Sequence, residues 1–404
     1  MVSVEISRYL NKAIPRTILI AILTACGVRQ EQGEQVILPT ETDKAKSSLL
    51  LTSTVESDLQ VDPTPSRTPT PTRALKPALT PTQTLEIVIH TPTAIVSETV
   101  VFSSTERLLA GAEFYVNPYS QAANVAKELQ QSDPETARML EEIAEQPTGI
   151  WLGDWTPNVK KFVADIMNSA ETQQTVPLFV TYNVPMRDLG QYSAGGLGSS
   201  EQYLAWIREI ALGIGDGQAV VILEPDALPQ SSALSANQRS DRVASMREAV
   251  EILKTESSAI VMLDIGHSNW LSIDEAVKLL QEAGIDQADG FSLNVSNFRT
   301  TEELIKFGEA ISSQLDGKPY VIDTSRNGAG PSPDNEWCNP TGVGLGEAPS
   351  TTIDYVDAPH LAAQLWVKPP GESDGDCRGN LPAGQFSVQL AKELYENSPY
   401  FGKE

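Results

Sequence analysis

The stretch from Ala219 to Pro229, AVVILEPDALP, sets the tightest limit on what this chain can fold into. It opens with an unbroken apolar run, Ala219-Val220-Val221-Ile222-Leu223. A short β-branched run without alternation reads as a strand covered on both faces, the condition of a parallel sheet. Glu224-Pro225-Asp226 ends it at once, because proline cannot continue a central strand. Two carboxylates therefore stand where a buried strand leaves the core. In α/β barrels that edge is where catalytic side chains gather. A polar turn in which Asp226 caps the following helix is the plainer alternative.

The rest of residues 109–404 repeats the pattern. Candidate strands are Gly149–Leu152, Pro177–Tyr182, Ala219–Leu223, Ala259–Leu263, Gly290–Asn294, Tyr320–Asp323 and Ala363–Val367. Segments of helical period lie between them. In residues 200–214, Leu204, Ile207, Ala211 and Ile214 share one face. Ser272 with Glu275, and Thr300 with Glu303, have the spacing of capping boxes. Seven strands joined by helical crossovers predict one α/β domain built on a barrel-like parallel sheet.

The strand ends carry the functional signal. At or just after them stand Asp154, Asp188, Asp226, Asp264, Asn294, Asp323 and Asp374. Helix capping accounts for some of these. It does not account for the aromatic residues beside them: Trp151, Trp155, Tyr182, Tyr192, Trp270, Trp337 and Trp366. Indoles are costly to expose and hard to bury completely, and at least one of these belongs to the core. Carboxylates and indoles along one groove suit a sugar polymer: the rings stack on pyranose faces and the carboxylates do acid/base work.

The N-terminal part has a different composition. Arg8, Lys12 and Arg16 precede the apolar run Ile18–Leu23, which falls short of the ~20 residues of a membrane span and has the length of a secretory signal. Leu23-Thr24-Ala25-Cys26 resembles a bacterial lipobox, which implies cleavage after residue 25 and lipid on Cys26. A plain signal peptide is the alternative. Residues 26–108 are rich in Thr, Pro and Ser, with no aromatic residue before Phe102. Such a stretch buries too little apolar surface to offset its ordering entropy, so a disordered tether is expected. The chain is thus expected to be exported, and either lipid-anchored on the outer face of the cell membrane or secreted. A net charge of -24 argues against a nucleic-acid partner. With three histidines and no Cys/His cluster at ligand spacing, neither a metal nor any other cofactor is implied.

The motifs along the domain resemble those of glycoside hydrolase family 6, the inverting cellulases. They are Phe114-Tyr115-Val116-Asn117-Pro118, Tyr182-Asn183-Val184-Pro185-Met186-Arg187-Asp188, Leu223-Glu224-Pro225-Asp226 and Leu263-Asp264-Ile265-Gly266-His267-Ser268. Asn294-Val295-Ser296-Asn297, the run from Val321 to Gly328, Glu336-Trp337-Cys338-Asn339-Pro340 and the run from Trp366 to Gly375 complete the set. The resemblance implies a distorted seven-stranded parallel β/α barrel of TIM-like kind, with its cleft at the C-terminal strand ends. It makes Asp226 the general acid. Asp188 would raise the pKa of that acid and position water, and Asp264 would support it. Asp374 would be the base, set across the ring so that a water fits between. Tyr182 would keep the reacting sugar distorted.

The same resemblance puts Trp151 and Trp337 against sugars on the non-reducing side of the cut, and His267 and Trp270 on the leaving-group side. It assigns Lys368 and Glu372 to hydroxyls near the reacting ring, and Asn297 to substrate binding. Asp323 and Arg326 also read as a buried, salt-bridged corner and stay outside the expected site. The resemblance pairs Cys338 with Cys377. A second family disulfide is missing at both ends, since Leu189 stands at one position and residues 227–250 contain no cysteine. The segments after Asp188 and Asp374 are short, which favours an open cleft and internal cutting of cellulose or β-glucan by a monomer. A tunnelled cellobiohydrolase is the alternative within the family, and a non-catalytic tethered glucan-binding lipoprotein the alternative outside it.

Overall fold

The computed structural model describes residues 108–377 and 381–403. Cys26, the signal segment and the tether lie outside the described residues. Seven strands form one sheet in chain order: β1 (Ile150–Leu152), β2 (Leu178–Thr181), β3 (Ala219–Leu223), β4 (Ala259–Asp264), β5 (Gly290–Leu293), β6 (Tyr320–Asp323) and β7 (Leu361–Leu365). Every pairing between neighbours is parallel. Helices α3 (Val159–Gln173), α4 (Ser200–Ile214), α5 (Ala236–Glu256), α6 (Ile273–Glu282) and α7 (Thr301–Ser312) make the crossovers from β1 to β6. The crossing from β6 to β7 has no α-helix. None of the described helices is long and apolar enough to cross a membrane.

The unbroken apolar strands are explained by two separate cores. Successive residues of a strand point to opposite faces of the sheet. Ala219, Val221 and Leu223 of β3 pack outward with the crossover helices, beside Phe179, Val261, Leu263 and Ile322. Val220 and Ile222 point inward, with Val180, Met262, Val321 and Leu365. Both sets are buried, so β3 carries no polar residue, and the polar residues Thr181, Ser292 and Gln364 of other strands are themselves buried. A third cluster joins α1 (Gln121–Leu129), α2 (Pro134–Ala144) and α8 (Val388–Glu396) around Leu140, Trp366 and Leu394. Trp366 is thus the core indole.

The sheet curls until its first and last edges touch. Thr148 bridges Trp366 in parallel, and the Gly149 amide donates to the Trp366 carbonyl at 2.9 Å. The indole of Trp151 adds a hydrogen bond to the Val367 carbonyl, also at 2.9 Å. Glycine is required at 149, because a Cβ there would stand 2.2 Å from the Val367 oxygen. This closure corrects the expected span of the last strand. The ladder runs two residues earlier, at Leu361–Leu365, and Trp366 and Val367 serve the seam instead.

Ser272 and Glu275 form the expected reciprocal capping box. Thr300 caps α7 by accepting from the Glu303 amide, but Glu303 does not reach back. Its carboxylate takes both Arg299 nitrogens instead, at 2.7–3.1 Å, and also accepts from Ser268. A charged bidentate partner outcompetes a neutral backbone amide. Cys338 and Cys377 form a disulfide across 39 positions of sequence. By chain entropy such a loop contributes about 3–4 kcal/mol.

Candidate active site

All the strands run toward one mouth, and the chain there is strained. Asp188, Glu224, Asp226, Asn294 and Ser296 all have positive φ, between 50° and 68°. Left-handed backbone at non-glycine residues costs free energy and persists only where the surroundings hold it. The ring of strand-end residues supplies that hold, and it divides into three kinds.

The first kind are buried carboxylates and an amide spent on the backbone. Glu224, fully buried, accepts from the amides of Asn183 at 2.9 Å and Val184 at 3.0 Å, and so shapes the turn that follows Tyr182. Asp323 accepts from the amides of Ser296, Ser325, Val367 and Lys368, at 3.0–3.2 Å. Asn294 donates to the carbonyls of Asp323 and Asn297. Asp264 accepts from the Asp226 amide at 2.9 Å, the Gly266 amide at 3.2 Å and the Ser292 hydroxyl at 3.1 Å. Burial pushes Asp264 up to about 7, against the pull of those hydrogen bonds. Asp154 is a second kind: its exposed carboxylate pairs with Arg187 at 2.9 Å and stays at the rim.

The third kind lines the cleft. Asp188, Asp226 and Asp374 face one hollow of about 420 Å³, together with Tyr182, Trp151, His267, Trp270, Asn297, Trp337 and Lys368. The Asp226 side chain caps no helix. Its Oδ1 is buried and accepts no hydrogen bond. Burial, and then the charges of Asp264, Asp188 and Asp374, push its carboxyl well above the ordinary carboxylate range. Asp264 has donors to stabilise its charged form and Asp226 has none on Oδ1, so a proton shared between the two resides on Asp226. Asp188 accepts from the Ser193 amide at 2.8 Å and from the Gln230 side chain at 3.1 Å.

Asp374 is fixed differently. Arg326 Nη1 reaches both of its oxygens at 2.9 Å, and the Asn339 amide donates to one of them at 3.0 Å. Both members of this ion pair are buried. Arg326 also donates to the Ser296 carbonyl and lies 4.5 Å from the Phe298 ring centroid. Lys368 Nζ stands 4.0 Å from Asp374 and 5.6 Å from the Trp151 ring centroid. Tyr182 meets Trp151 edge to face at 5.3 Å, and burial followed by the Asp226 and Asp188 charges raises its phenol far up.

The binding residues fall on two sides. His267 and Trp270 lie 5.8 Å apart in the first hollow. Burial and then the Arg299 charge lower His267 to about 4, which leaves a neutral imidazole. Trp337, expected on the same side as Trp151, lines the first hollow together with Trp151, His267 and Trp270. Its loop is pinned there by the Cys338–Cys377 bridge and by Tyr192, 5.8 Å away. Glu372 lines the second hollow and not the first, and accepts from Gln121 at 2.7 Å. Arg326, Gln230, Ser292 and Asn339 were not expected at the site. Arg326 lay in the corner left aside above and Asn339 in the Glu336–Pro340 motif, whereas Gln230 and Ser292 carried no signal.

Comparison with known proteins agrees with this geometry. Residues 109–398 match the model for "Glycosyl hydrolases family 6". Endoglucanase A of Cellulomonas fimi is 42% identical over 287 residues, which cover 70% of this chain and 61% of that protein. Endoglucanase 1 of Streptomyces halstedii is 36% identical over 290 residues, covering 70% of this chain and 88% of the relative. This chain therefore spans less than two thirds of the length of the Cellulomonas protein. Relatives named as exoglucanase or cellobiohydrolase match at 26–29% identity. Among solved structures, the endoglucanase Cel6 of Mycobacterium tuberculosis, in complex with a thio-linked methyl cellobiosyl-cellobioside, superposes with a TM-score of 0.68 at 43% identity. That match covers 72% of this chain and 98% of the other. With Asp226 at the end of β3 and Asp374 clamped by Arg326 lining one hollow, and residues 109–398 matching the family's model, the chain belongs to glycosyl hydrolase family 6.

Proposed function

We propose that this protein hydrolyses internal β-1,4-glucosidic bonds of cellulose or β-glucan by a single displacement with inversion. Asp226 is the general acid: its buried, raised carboxyl delivers a proton to the glycosidic oxygen. Asp226 lining one hollow with two further carboxylates, while its buried Oδ1 accepts no hydrogen bond, is the observation that carries the reading. Asp188 keeps the Asp226 pKa high and orients water through its hydrogen-bonded carboxylate. Asp374, held by Arg326, is the base for a water attacking the opposite face of the sugar. Asp264 supports the acid through the Asp226 amide, and Tyr182 presses on the reacting ring. His267, Trp270 and Trp337 bind the leaving-group side, with Asn297 on the same wall. Trp151, Lys368 and Glu372 bind the non-reducing side.

Endo action is supported by short loops and by endoglucanases among the more similar relatives. The loops after Asp188 and Asp374 touch where Tyr192 packs on Gly375, so one aromatic side chain takes the place of a long roof. On soluble carboxymethylcellulose the viscosity is expected to fall steeply for each new reducing end. Reducing ends released with little loss of viscosity would instead show a chain-end enzyme.

The N-terminal segment supports export, with lipid on Cys26 holding a monomeric catalytic domain outside the cell through residues 26–108. Multiple acyl chains anchor stably where one does not. The unaltered chain expressed in bacteria is expected to enter the detergent-rich phase on phase separation, and Cys26→Ala to stay in the aqueous phase. Equal partitioning of the two removes the anchor.

A further inference from the structure

The cleft continues beyond Trp151. A second hollow of about 610 Å³ shares Trp151, Tyr182, Ser193 and Lys368 with the first. Past Glu372 it is lined by Tyr119, Gln121, Trp155 and Phe386. The roles proposed above leave Trp155 and Tyr119 without work, although they are 53% and 75% exposed. Exposed rings of this size at the end of a groove call for an explanation.

Trp155 is exposed but not loose. The Arg187 guanidinium lies 5.0 Å from its ring centroid. Arg187 is itself nearly buried, fixed by Asp154 at 2.9 Å and by the carbonyls of Tyr182 and Ser193 at 2.8 Å each. The six-membered ring of Trp155 also rests against Gly153, where a Cβ would come within 2.4 Å of it. The opposite wall is equally built. Gln121 donates to Glu372 at 2.7 Å and to the Gly384 carbonyl at 2.9 Å, and accepts from the Phe386 amide at 3.2 Å. An indole held in place before a ligand arrives loses little freedom on stacking, so its contact area converts efficiently into affinity.

We propose that this hollow is a further glucan-binding subsite. It takes the third glucosyl unit on the non-reducing side of the cut, with Trp155 as the stacking platform and Tyr119 at its outer edge. The occupant is the same chain that lies in the catalytic hollow, because the two hollows share their walls. The inference rests on the hydrolase reading. It means that cleavage is favoured where at least three units extend past the broken bond, which suits attack within a chain.

Cellopentaose cut in ¹⁸O-labelled water tests it. The water oxygen enters the new reducing end, so the labelled product counts the units on the non-reducing side. The quantity measured by mass spectrometry is the ratio of labelled cellotriose to labelled cellobiose. Both cuts use the same carboxylates, so damage to the catalytic centre cancels in the ratio. In the full chain, Trp155→Ala is expected to lower this ratio about three- to ten-fold, the range of one aromatic contact. Tyr119→Ala, a change on the surface that the fold tolerates, should lower it less. An unchanged ratio in both variants, with cleavage intact, overturns the subsite alone. No cleavage by the unaltered chain overturns the hydrolase reading and the subsite with it.

Discussion

Exchanging Asp226 for asparagine is expected to lower kcat on carboxymethylcellulose by about 10²–10⁴-fold, the range of a lost general acid, while binding to cellulose persists. Asparagine keeps the shape of the side chain and removes only the proton. The same variant has an opposite effect on stability. The Asp226 pKa is raised well above 3.8 by burial and by three neighbouring carboxylates. A carboxyl of this kind binds more protons in the folded state than in the unfolded one. Its contribution is complete at low pH and is lost as the pH rises through the folded pKa. Asp264, pushed up to about 7, adds to the same loss. The wild type therefore gives up stability from about pH 4 upward, and Asp226→Asn gives up less. Its Tm should exceed that of the wild type at pH 8, and the gap should close toward pH 4. A Tm gap that does not depend on pH would mean that Asp226 is not buried with a raised pKa. Full activity in the variant would remove it as the acid.

The second large effect is expected at Arg326. Its ion pair with Asp374 joins groups 48 residues apart, both nearly inaccessible to water. Removing one member of a buried pair leaves a charge without its compensation, which costs about 3–5 kcal/mol. Arg326→Ala should lose stability of that order in urea unfolding. It should also lower kcat on carboxymethylcellulose, because the carboxylate proposed as base loses the group that holds it in place. Arg326→Lys should recover part of the stability but not the kcat, since a lysine lacks the fork that also reaches the Ser296 carbonyl. A stability loss with an unchanged kcat would make Arg326 a structural residue and would count against Asp374 as the base.

Most of the architecture was legible because strands buried on both faces leave a composition that nothing else produces. β3 and β6 stand at the expected residues, and the run that ends in Glu224-Pro225-Asp226 does turn at the cleft. The seam between the sheet edges was not legible. Gly149 and Trp366 are far apart in the chain, and nothing local marks a glycine as the point where two edges meet.

The site divides the same way. Unbroken apolar runs that stop abruptly showed where acids, an amide and indoles gather at the strand ends, though Trp366 went to the core. The sequence by itself could not determine what each one does there. Glu224 and Asp226 are two residues apart, yet one is fully spent on the amides of Asn183 and Val184 and the other keeps a free buried oxygen. Trp337 and Trp151 look alike in their motifs, but Tyr192 packs against one beside the Cys338–Cys377 disulfide while Lys368 stands over the other. These differences arise from hydrogen bonds and ion pairs that join residues about 30 to 50 positions apart. Burial and neighbouring charge set a carboxyl's pKa, and both are properties of the folded surroundings. The tertiary structure alone therefore decided which acid holds a proton and which holds the chain.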